Sequence, residues 1–249
     1  MHRIRCSEIW GGIQNADLDV CTSGVTASLY SQACDGGRGG DIYFFSVCGS
    51  DRLTRIAIAD VAGHGAAISA LSRGIFDSLA ARMNTLEGNG VLTDLNAVVA
   101  QQGFMSMTTA AVIGFYLGDG QLYFSYAGHP PVFVRRRGAA DWQPIQLASP
   151  TVPGNLPLGV LDDTAFDQET LPLRPGDRLF LYTDGVLEAP APDGAQFGEE
   201  RLRAALDAAG NGELSCLKQG VLDALRAYTG GSLAHDDVTV MAMEVRGGK

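Results

Sequence analysis

Residues 42–47 and 53–61 form two apolar runs, and each run is apolar at positions that lie on both faces of a β-strand. Because side chains alternate between the two faces of a strand, such strands are interior strands that other layers cover on both sides. The residues between them, 48–52, have the length of a hairpin connection. The sequence therefore predicts two paired interior strands in a sheet that is packed on both of its faces.

The remaining apolar patterns predict strands that come in hairpins and helices that come in pairs. Helical spacing recurs in one stripe, Ile68, Leu71, Ile75 and Leu79, and three further segments favour helices: 92–99, 199–209 and 214–228. Further strands are predicted at 108–117, 121–126, 131–135, 179–182 and 238–245. This order lacks the alternating βαβ units of a doubly wound sheet. The predicted fold is α+β, a four-layer αββα sandwich in which two antiparallel β-sheets are flanked by helix pairs.

The charge of the chain disfavours one class of partner. Of its 249 residues, 46% are hydrophobic and 18% are charged, which is typical of a folded protein. The formal net charge of −10 disfavours binding to nucleic acid, because a phosphate backbone requires a basic face. The one basic run, Arg135-Arg136-Arg137 before Gly138, is predicted to be the exposed end of a strand in a solvated turn.

The termini and the cysteines predict a cellular location. The N-terminal segment has no apolar core of signal-peptide length, and no window approaches the about 20 apolar residues of a membrane span. The five cysteines are odd in number and never fall in a Cys-x-x-Cys spacing, as in a protein with reduced thiols. We therefore expect a cytoplasmic protein that binds no membrane.

Aspartates recur where the predicted strands begin or end, and a glycine stands beside nearly all of them. Four of these aspartates are candidate metal ligands: Asp41, Asp60, Asp184 and Asp236. A hard divalent cation needs several oxygen ligands and a backbone that can approach closely. Taken singly, Asp60 also suits the cap of the following helix and Asp184 suits a turn. Their recurrence at separate strand ends instead predicts a metal-dependent hydrolase.

Seven short motifs follow one another from about residue 36 to the C-terminus. They are Gly-Gly-Asp at 39–41, Asp-Val-Ala-Gly-His-Gly at 60–65, Tyr-Ala-Gly-His-Pro-Pro at 126–131, Pro-Leu-Gly-Val at 157–160, Tyr-Thr-Asp-Gly-Val-Leu-Glu-Ala at 182–189, Phe-Gly-Glu-Glu-Arg-Leu at 197–202 and Asp-Asp-Val-Thr-Val at 236–240. In these motifs and their order, the chain resembles the PP2C-like metal-dependent serine/threonine phosphatases, in their bacterial sporulation and stress-response (SpoIIE/RsbU-like) branch. The αββα sandwich of that family agrees with the fold predicted from the element order.

The resemblance implies a protein-serine/threonine phosphatase that acts on a phosphorylated regulatory protein, such as an anti-sigma-factor antagonist. In that family two ions, Mn²⁺ or Mg²⁺, activate a water that attacks phosphorus. By resemblance, Asp60 bridges both ions and the Val61 carbonyl binds one of them. Asp184 and Asp236 are the carboxylates of the other ion, and Asp41 orients metal-bound water or ligates directly. No cysteine nucleophile is implied.

Some assignments stay open in the sequence. Strand alternation allows only one of Asp236 and Asp237 to point into the site, and Asp236 is the first acid of the pair. His64 suits a structural role at a helix start or a catalytic one. The family usually has an acid three residues after the aspartate of its Gly-Gly-Asp motif, and Phe44 occupies that position. About 35 residues precede the first motif, too few for a sensor domain, so we expect a single phosphatase domain over 1–249.

Two other functions compete with a protein phosphatase. One is a phosphatase-like binding module with weak catalysis, which takes part in a partner-switching pathway. The other is a two-metal phosphodiesterase that acts on small molecules, although four histidines in the chain are few for such a site. All four candidate aspartates are present, which favours catalysis over binding alone.

Overall fold

Two β-sheets are stacked face to face, and a pair of helices covers the outer surface of each. This architecture is that of a computed structural model, which describes residues 1–48, 50–63, 66–82, 85–102, 107–148 and 156–247. The first sheet has seven strands and the second has six. The fold is therefore α+β with four αββα layers, which confirms the prediction.

Blocks of strands and pairs of helices follow one another along the chain. The strands are β1 (His2–Arg3), β2 (Ile9–Gln14), β3 (Ala16–Cys21), β4 (Val25–Gln32), β5 (Arg38–Cys48), β6 (Leu53–Val61), β7 (Thr108–Tyr116), β8 (Gln121–Ala127), β9 (Phe133–Arg135), β10 (Gln143–Pro144), β11 (Glu169–Pro172), β12 (Arg178–Tyr182) and β13 (Val238–Val245). The helices are α1 (Ala66–Ala81), α2 (Gly88–Ala100), α3 (Gly198–Ala208) and α4 (Leu214–Tyr228), with a 3₁₀ turn at Asp184–Val186.

Neighbouring strands are antiparallel in both sheets, apart from β1, which pairs with β3 in parallel. The first sheet has the order β1-β3-β4-β13-β12-β9-β10, and the second has the order β11-β8-β7-β6-β5-β2. Helices α3 and α4 pack on the first sheet, and α1 and α2 pack on the second. No helix among the described residues is long and apolar enough to cross a membrane.

The interior strands are covered on both faces, as their apolar runs predict. In β5, Tyr43 and Phe45 point into the core between the two sheets, whereas Ile42 and Phe44 point toward α1 and α2. Strand β6 alternates in the same way: Ile56 and Ile58 pack between the sheets, whereas Ala57 and Ala59 belong to the core under the helices. Each strand therefore contributes to two cores at once, which requires the apolar character of both its faces.

The first 32 residues contribute strands to both sheets, which the sequence analysis did not predict. Strand β2 joins the second sheet beside β5, while β1, β3 and β4 belong to the first. The signal was present but weak. In β3, Leu18 and Val20 pack against the core and alternate with Asp17 and Asp19. Strand β2 contains two glycines and an irregular register. Glycine weakens the strand pattern, since it has no side chain to show alternation.

Truncating Phe45 to alanine tests the core between the sheets. Phe45 is fully buried and contacts Trp10, with ring centroids 5.8 Å apart. The change leaves a cavity, so we expect the free energy of unfolding to fall by about 3–5 kcal/mol. Urea denaturation measures it, with Leu161→Ala as the control. The Leu161 side chain is 56% exposed, so its loss should change stability by less than about 0.5 kcal/mol. Equal costs for the two variants would contradict the assignment of the core.

Candidate metal centre

Two of the candidate aspartates lie side by side at one end of the second sheet. Strands β5 and β6 pair with Ile42 opposite Ala59, and continuing this register places Asp41 opposite Asp60. Side-chain alternation points both carboxylates toward the space between the sheets, as it does Tyr43. Asp41 is 3% exposed, whereas Asp60 is half-buried.

The other two aspartates lie at the facing end of the first sheet. Asp184 begins the 3₁₀ turn after β12, and Asp236 stands two residues before β13. Because β12 and β13 are antiparallel neighbours, the end of the former lies beside the start of the latter. The Thr183 hydroxyl joins the two sheets: it donates to Asp41 Oδ2 at 2.9 Å and accepts the Thr239 N–H at 3.0 Å.

Glycines allow the strand ends to approach more closely than any other residue would permit. A methyl group on Gly40 would lie 2.4 Å from the Val61 carbonyl oxygen and 3.3 Å from Asp60 Oδ1. One on Gly185 would lie 2.0 Å from the Asp237 carbonyl oxygen. Contacts this short are forbidden, so a side chain at either position would push the aspartates apart. The glycines beside the aspartates therefore have the role that the sequence predicts.

Burial and mutual repulsion leave these carboxylates without enough compensating positive charge. Burial, followed by the charges of Asp41, Asp184 and Asp236, raises the pKa of Asp60 to about 9. Burial, followed by the charges of Asp237 and Asp184, raises the pKa of Asp41 well above its usual value, although the hydroxyls of Thr239 and Thr183 oppose this. Burial and the Asp184 charge raise the pKa of Asp236 too. A cation is the partner that such a group of carboxylates lacks.

The oxygen atoms of these side chains suit a hard divalent cation, but they are not gathered around one point. Asp41 Oδ1 is buried and has no hydrogen-bond partner among the residues that the structure describes. Oxygen donors and uncompensated negative charge suit Mg²⁺ or Mn²⁺. Within the same described ranges, however, no three His, Cys, Asp or Glu side chains gather around one point as a metal ion requires. The structure thus brings the four aspartates to one end of the sandwich without closing them around an ion.

The adjacent acids Asp236 and Asp237 have different surroundings. The buried Asp237 carboxylate accepts the backbone N–H of Cys34 through Oδ1 at 2.8 Å and the N–H of Gly40 through Oδ2. Asp236 accepts only the neighbouring N–H of Asp237 through Oδ1, at 2.8 Å, in the hydrogen bonds of the described residues. Asp237 is therefore occupied in holding the start of β5, and Asp236 retains an oxygen for a ligand.

The histidines near the site have structural contacts. His235 Nε2 donates to the Gly185 carbonyl at 2.7 Å, and His129 Nδ1 lies 2.9 Å from the Pro130 carbonyl. His129 is buried, and burial lowers its pKa to about 4, so the ring is neutral near pH 7. His64 lies outside the described residues, and its role stays a sequence-based prediction.

Two residues at the site were missed in the sequence. Thr183 fixes Asp41, and Glu188 lies near Asp184 and Asp236. Burial, and then the charges of these two aspartates, raises the pKa of the Glu188 carboxyl. The only signal for either residue was its place within the motif at 182–189. Phe44 has no access to the aspartates, because it packs in the outer core against Phe76, with ring centroids 5.7 Å apart.

Comparison with known proteins points to one group. Residues 50–246 match the family described as Stage II sporulation protein E (SpoIIE). The chain is 27% identical to Protein IcfG of Synechocystis sp. over 82% of its length, and 29% identical to Phosphoserine phosphatase RsbU of Bacillus subtilis over 73%. It spans 35% of the length of the former and 50% of the latter.

Solved structures share the fold. The RsbU and RsbW domains of Rv1364c from Mycobacterium tuberculosis superpose with a TM-score of 0.76 and 23% identity, over 94% of this chain and 64% of that one. The SiaA-PP2C domain of Pseudomonas aeruginosa gives a TM-score of 0.73 and 20% identity, over 88% of this chain and 85% of that one. The four-layer sandwich is therefore that of the PP2C domains.

The pKa of Asp60 predicts how the metal-free protein responds to pH. The unfolded chain releases this proton near its ordinary value of 3.8, whereas the folded protein holds it up to about 9. Between these values the folded state binds more protons, so its stability falls as the pH rises. In EDTA, we expect the melting temperature to decrease from about pH 5 to about pH 8, and Asp60→Asn to reduce that decrease. The same substitution at the exposed Asp77 is the control and should leave the slope unchanged.

The different surroundings of Asp236 and Asp237 predict unequal losses of stability when each is replaced in metal-free protein. Asp237→Ala leaves two backbone N–H groups without their acceptor and should lower the free energy of unfolding by about 3 kcal/mol. Asp236→Ala removes a repelled carboxylate with one local hydrogen bond and should cost less than about 0.5 kcal/mol. Urea denaturation in EDTA measures both variants. A larger cost for Asp236→Ala would reverse the assignment of the two acids.

Proposed function

Because the chain belongs to the SpoIIE family and has the fold of PP2C-like phosphatase domains, we propose that it is a metal-dependent protein-serine/threonine phosphatase. One observation carries the proposal: aspartates from both sheets meet at one end of the sandwich, and their buried charge is uncompensated enough to raise the pKa of Asp60 to about 9. Carboxylates held in this way are destabilising unless a cation joins them. The unfavourable arrangement is thus understandable as a site for metal ions.

Four groups would hold two ions, Mn²⁺ or Mg²⁺. They are the carboxylates of Asp60, Asp184 and Asp236 and the carbonyl of Val61, with Asp41 alongside. When bound, such ions lower the pKa of a water and neutralise the oxygens of a phosphate. The Asp237 carboxylate accepts hydrogen bonds from two backbone N–H groups, which supports the choice of Asp236 as the metal ligand.

Besides binding the ions, the protein would contribute to the reaction by positioning Asp41. The Thr183 hydroxyl fixes Oδ2 of this residue at 2.9 Å, so that Oδ1 has one direction and no partner among the described residues. We propose that Oδ1 accepts a hydrogen bond from a water and orients it toward the phosphate. Gly40 keeps this edge of the sheet against Val61, and so keeps Asp41 beside Asp60. Both effects are orientation, which is the main contribution of a protein to phosphoryl transfer.

The proposed substrate is a regulatory protein that carries phosphoserine or phosphothreonine. RsbU is named as a phosphoserine phosphatase, and RsbU and RsbW domains occur together in the Rv1364c structure. We infer that this chain acts in such a partner-switching system, for example on an anti-sigma-factor antagonist in the cytoplasm. Its net charge of −10 opposes long-range attraction of a phosphoprotein, so recognition would depend on shape and local contacts.

The extent of the catalytic unit is also a proposal. Strands β1 to β4 complete both sheets, although the recognisable motifs begin only at about residue 36. We propose that residues 1–249 act as a single phosphatase domain. Its first 32 residues would then be needed for the fold that holds the aspartates.

A phosphatase-like binding module is the second candidate. The observation that favours it is the open arrangement, since no three ligand side chains of the described residues gather around one point. A module of this kind would bind the phosphorylated regulator and turn it over slowly or not at all.

Hydrolysis assays separate the two candidates. We expect wild-type protein to hydrolyse p-nitrophenyl phosphate and a phosphothreonine peptide with Mn²⁺ or Mg²⁺, and to stop in EDTA. Asp60→Ala and Asp184→Ala should each lose more than about 100-fold in rate, because several kcal/mol of transition-state stabilisation depend on the ions. Asp141→Ala, an exposed acid in a loop, is the matched control and should keep its activity.

Two results would count against the proposal. Normal turnover by both ligand variants, with an unchanged metal response, would remove the site assignment. If wild type is folded but inactive with either metal and still binds the phosphopeptide, the binding module becomes the better description.

A further inference from the structure

An open cleft of about 920 Å³ lies at the end of the first sheet where β12 begins and β13 ends. Strand β12 runs from Arg178 in this cleft toward Asp184, and six residues of extended chain span about 20 Å. The cleft is therefore separate from the candidate metal centre. Five arginines line it: Arg135, Arg136, Arg137, Arg178 and Arg246. This positive surface occurs in a chain of net charge −10.

Two of these arginines are direct cross-strand neighbours. In the register of the sheet, Arg178 stands opposite Arg135 on one side and opposite Glu244 on the other. Thr26 continues the same row beyond Glu244. Like charges directly opposite each other are unfavourable in a sheet, so this pair has a cost that an anion between them would remove.

Arg135 is held rigidly at the inner wall of the cleft, which corrects the prediction of a solvated turn. The residue is 4% exposed. Its Nη2 donates to the Gly210 carbonyl at 2.7 Å, and its guanidinium lies over the Trp142 ring, 4.9 Å from the centroid. A guanidinium held by these contacts is oriented in advance for a ligand.

Arg178 is also fixed by a hydrogen bond, and one of its N–H groups has no acceptor among the described residues. Its Nε donates to Glu244 at 2.8 Å, while its Nη1 is buried without a hydrogen-bond partner in the described part of the chain. A buried charged donor without a partner costs free energy that a ligand oxygen would recover.

The cleft as a whole has more positive than negative charge. Arg178 pairs with Glu244 and Arg136 pairs with Asp177, at 2.8 Å and 2.9 Å. The remaining three arginines of the cleft form no ion pair with any described residue: Arg135, Arg137 and Arg246. Among the described lining residues, three positive charges at this cleft thus have no ionic partner.

We propose that this cleft binds a small anion that carries two or more phosphoryl groups. One phosphoryl group would accept hydrogen bonds from Arg135 and Arg178 together, and the rim arginines Arg137 and Arg246 would contact the next. Among the described residues, the cationic side chains of the lining are arginines, whose planar guanidinium matches the oxygens of phosphate. The volume lies within the range of small-ligand sites, and no described residue of the lining offers an aromatic ring on which a base would stack.

Isothermal titration calorimetry of the whole chain with tripolyphosphate in EDTA tests this. Without cations, the four aspartates repel a polyanion, so saturable binding reports the cleft. We expect one site, with Kd raised at least tenfold in Arg178→Gln and in Arg137→Gln. The exposed Arg137 is the safer variant for folding, and circular dichroism checks both.

Helix α4 begins shortly after Asn211, which lines the cleft, and the matched control, Arg226→Gln, removes the same charge near the far end of this helix. Arg226 follows Leu214 by twelve residues, about 18 Å of helix, and should change Kd less than twofold. The absence of saturable binding, or equal weakening in all three variants, would overturn the proposal. Tighter binding of a polyglutamate peptide than of tripolyphosphate would also overturn it and would assign the cleft to an acidic protein segment. The titration follows binding and not hydrolysis, so either result leaves the proposed phosphatase function untouched.

Discussion

The packing of the two sheets against each other is the constraint on which the other features depend. Side chains from β4 and β13 of one sheet and from β5 and β6 of the other form a single buried core, in which Leu29, Phe45 and Met241 have no exposed surface. Burial of this apolar area is the main favourable contribution to folding. It also fixes the relative position of the strand ends, and those ends hold every residue of the candidate metal centre. The acidic residues repel one another, so the packing of the apolar core is what brings them together.

That assembly acts against electrostatics, and two kinds of contact reduce the cost. Thr183 links the sheets through Asp41, and Asp237 uses its charge to accept backbone N–H groups of the loop before β5 and of β5 itself. Neither contact neutralises Asp60, whose pKa stays raised. One end of the sandwich therefore carries uncompensated negative charge, and the first sheet has an arginine-rich cleft at its opposite end. Both are places where a ligand of opposite charge would stabilise the fold by binding it.

Much of the fold was predictable because its strongest signals are local. The two-sided apolar strands and the paired helices indicated four layers, and the strands predicted at 108–117 and 121–126 are β7 and β8, which pair antiparallel. Of the first four strands, which were not predicted, two have weak patterns, because two glycines interrupt β2 and aspartates alternate along β3. Strand β4 does alternate, with Val25, Ala27 and Leu29 in the core, and was missed. The four candidate aspartates were identified from their motifs, and the structure places them at one end of the sandwich. The supporting residue Thr183 was missed, since its contact with Asp41 joins segments that are distant in sequence. Glu188 was missed because only the fold brings Asp236 near it.

The sequence by itself determined the layers of the fold, the family and the identity of the candidate ligands, because periodicity and short motifs are properties of neighbouring residues. Only the tertiary structure decided which of two adjacent acids is free. Asp237 is occupied by the N–H groups of Cys34 and Gly40, about 200 residues away in the chain. The tertiary structure also decided that Arg135 is buried opposite Arg178 and not solvated in a turn. In each case the deciding contact joins segments that lie far apart in the chain and meet only in the folded protein, so no local pattern predicts it.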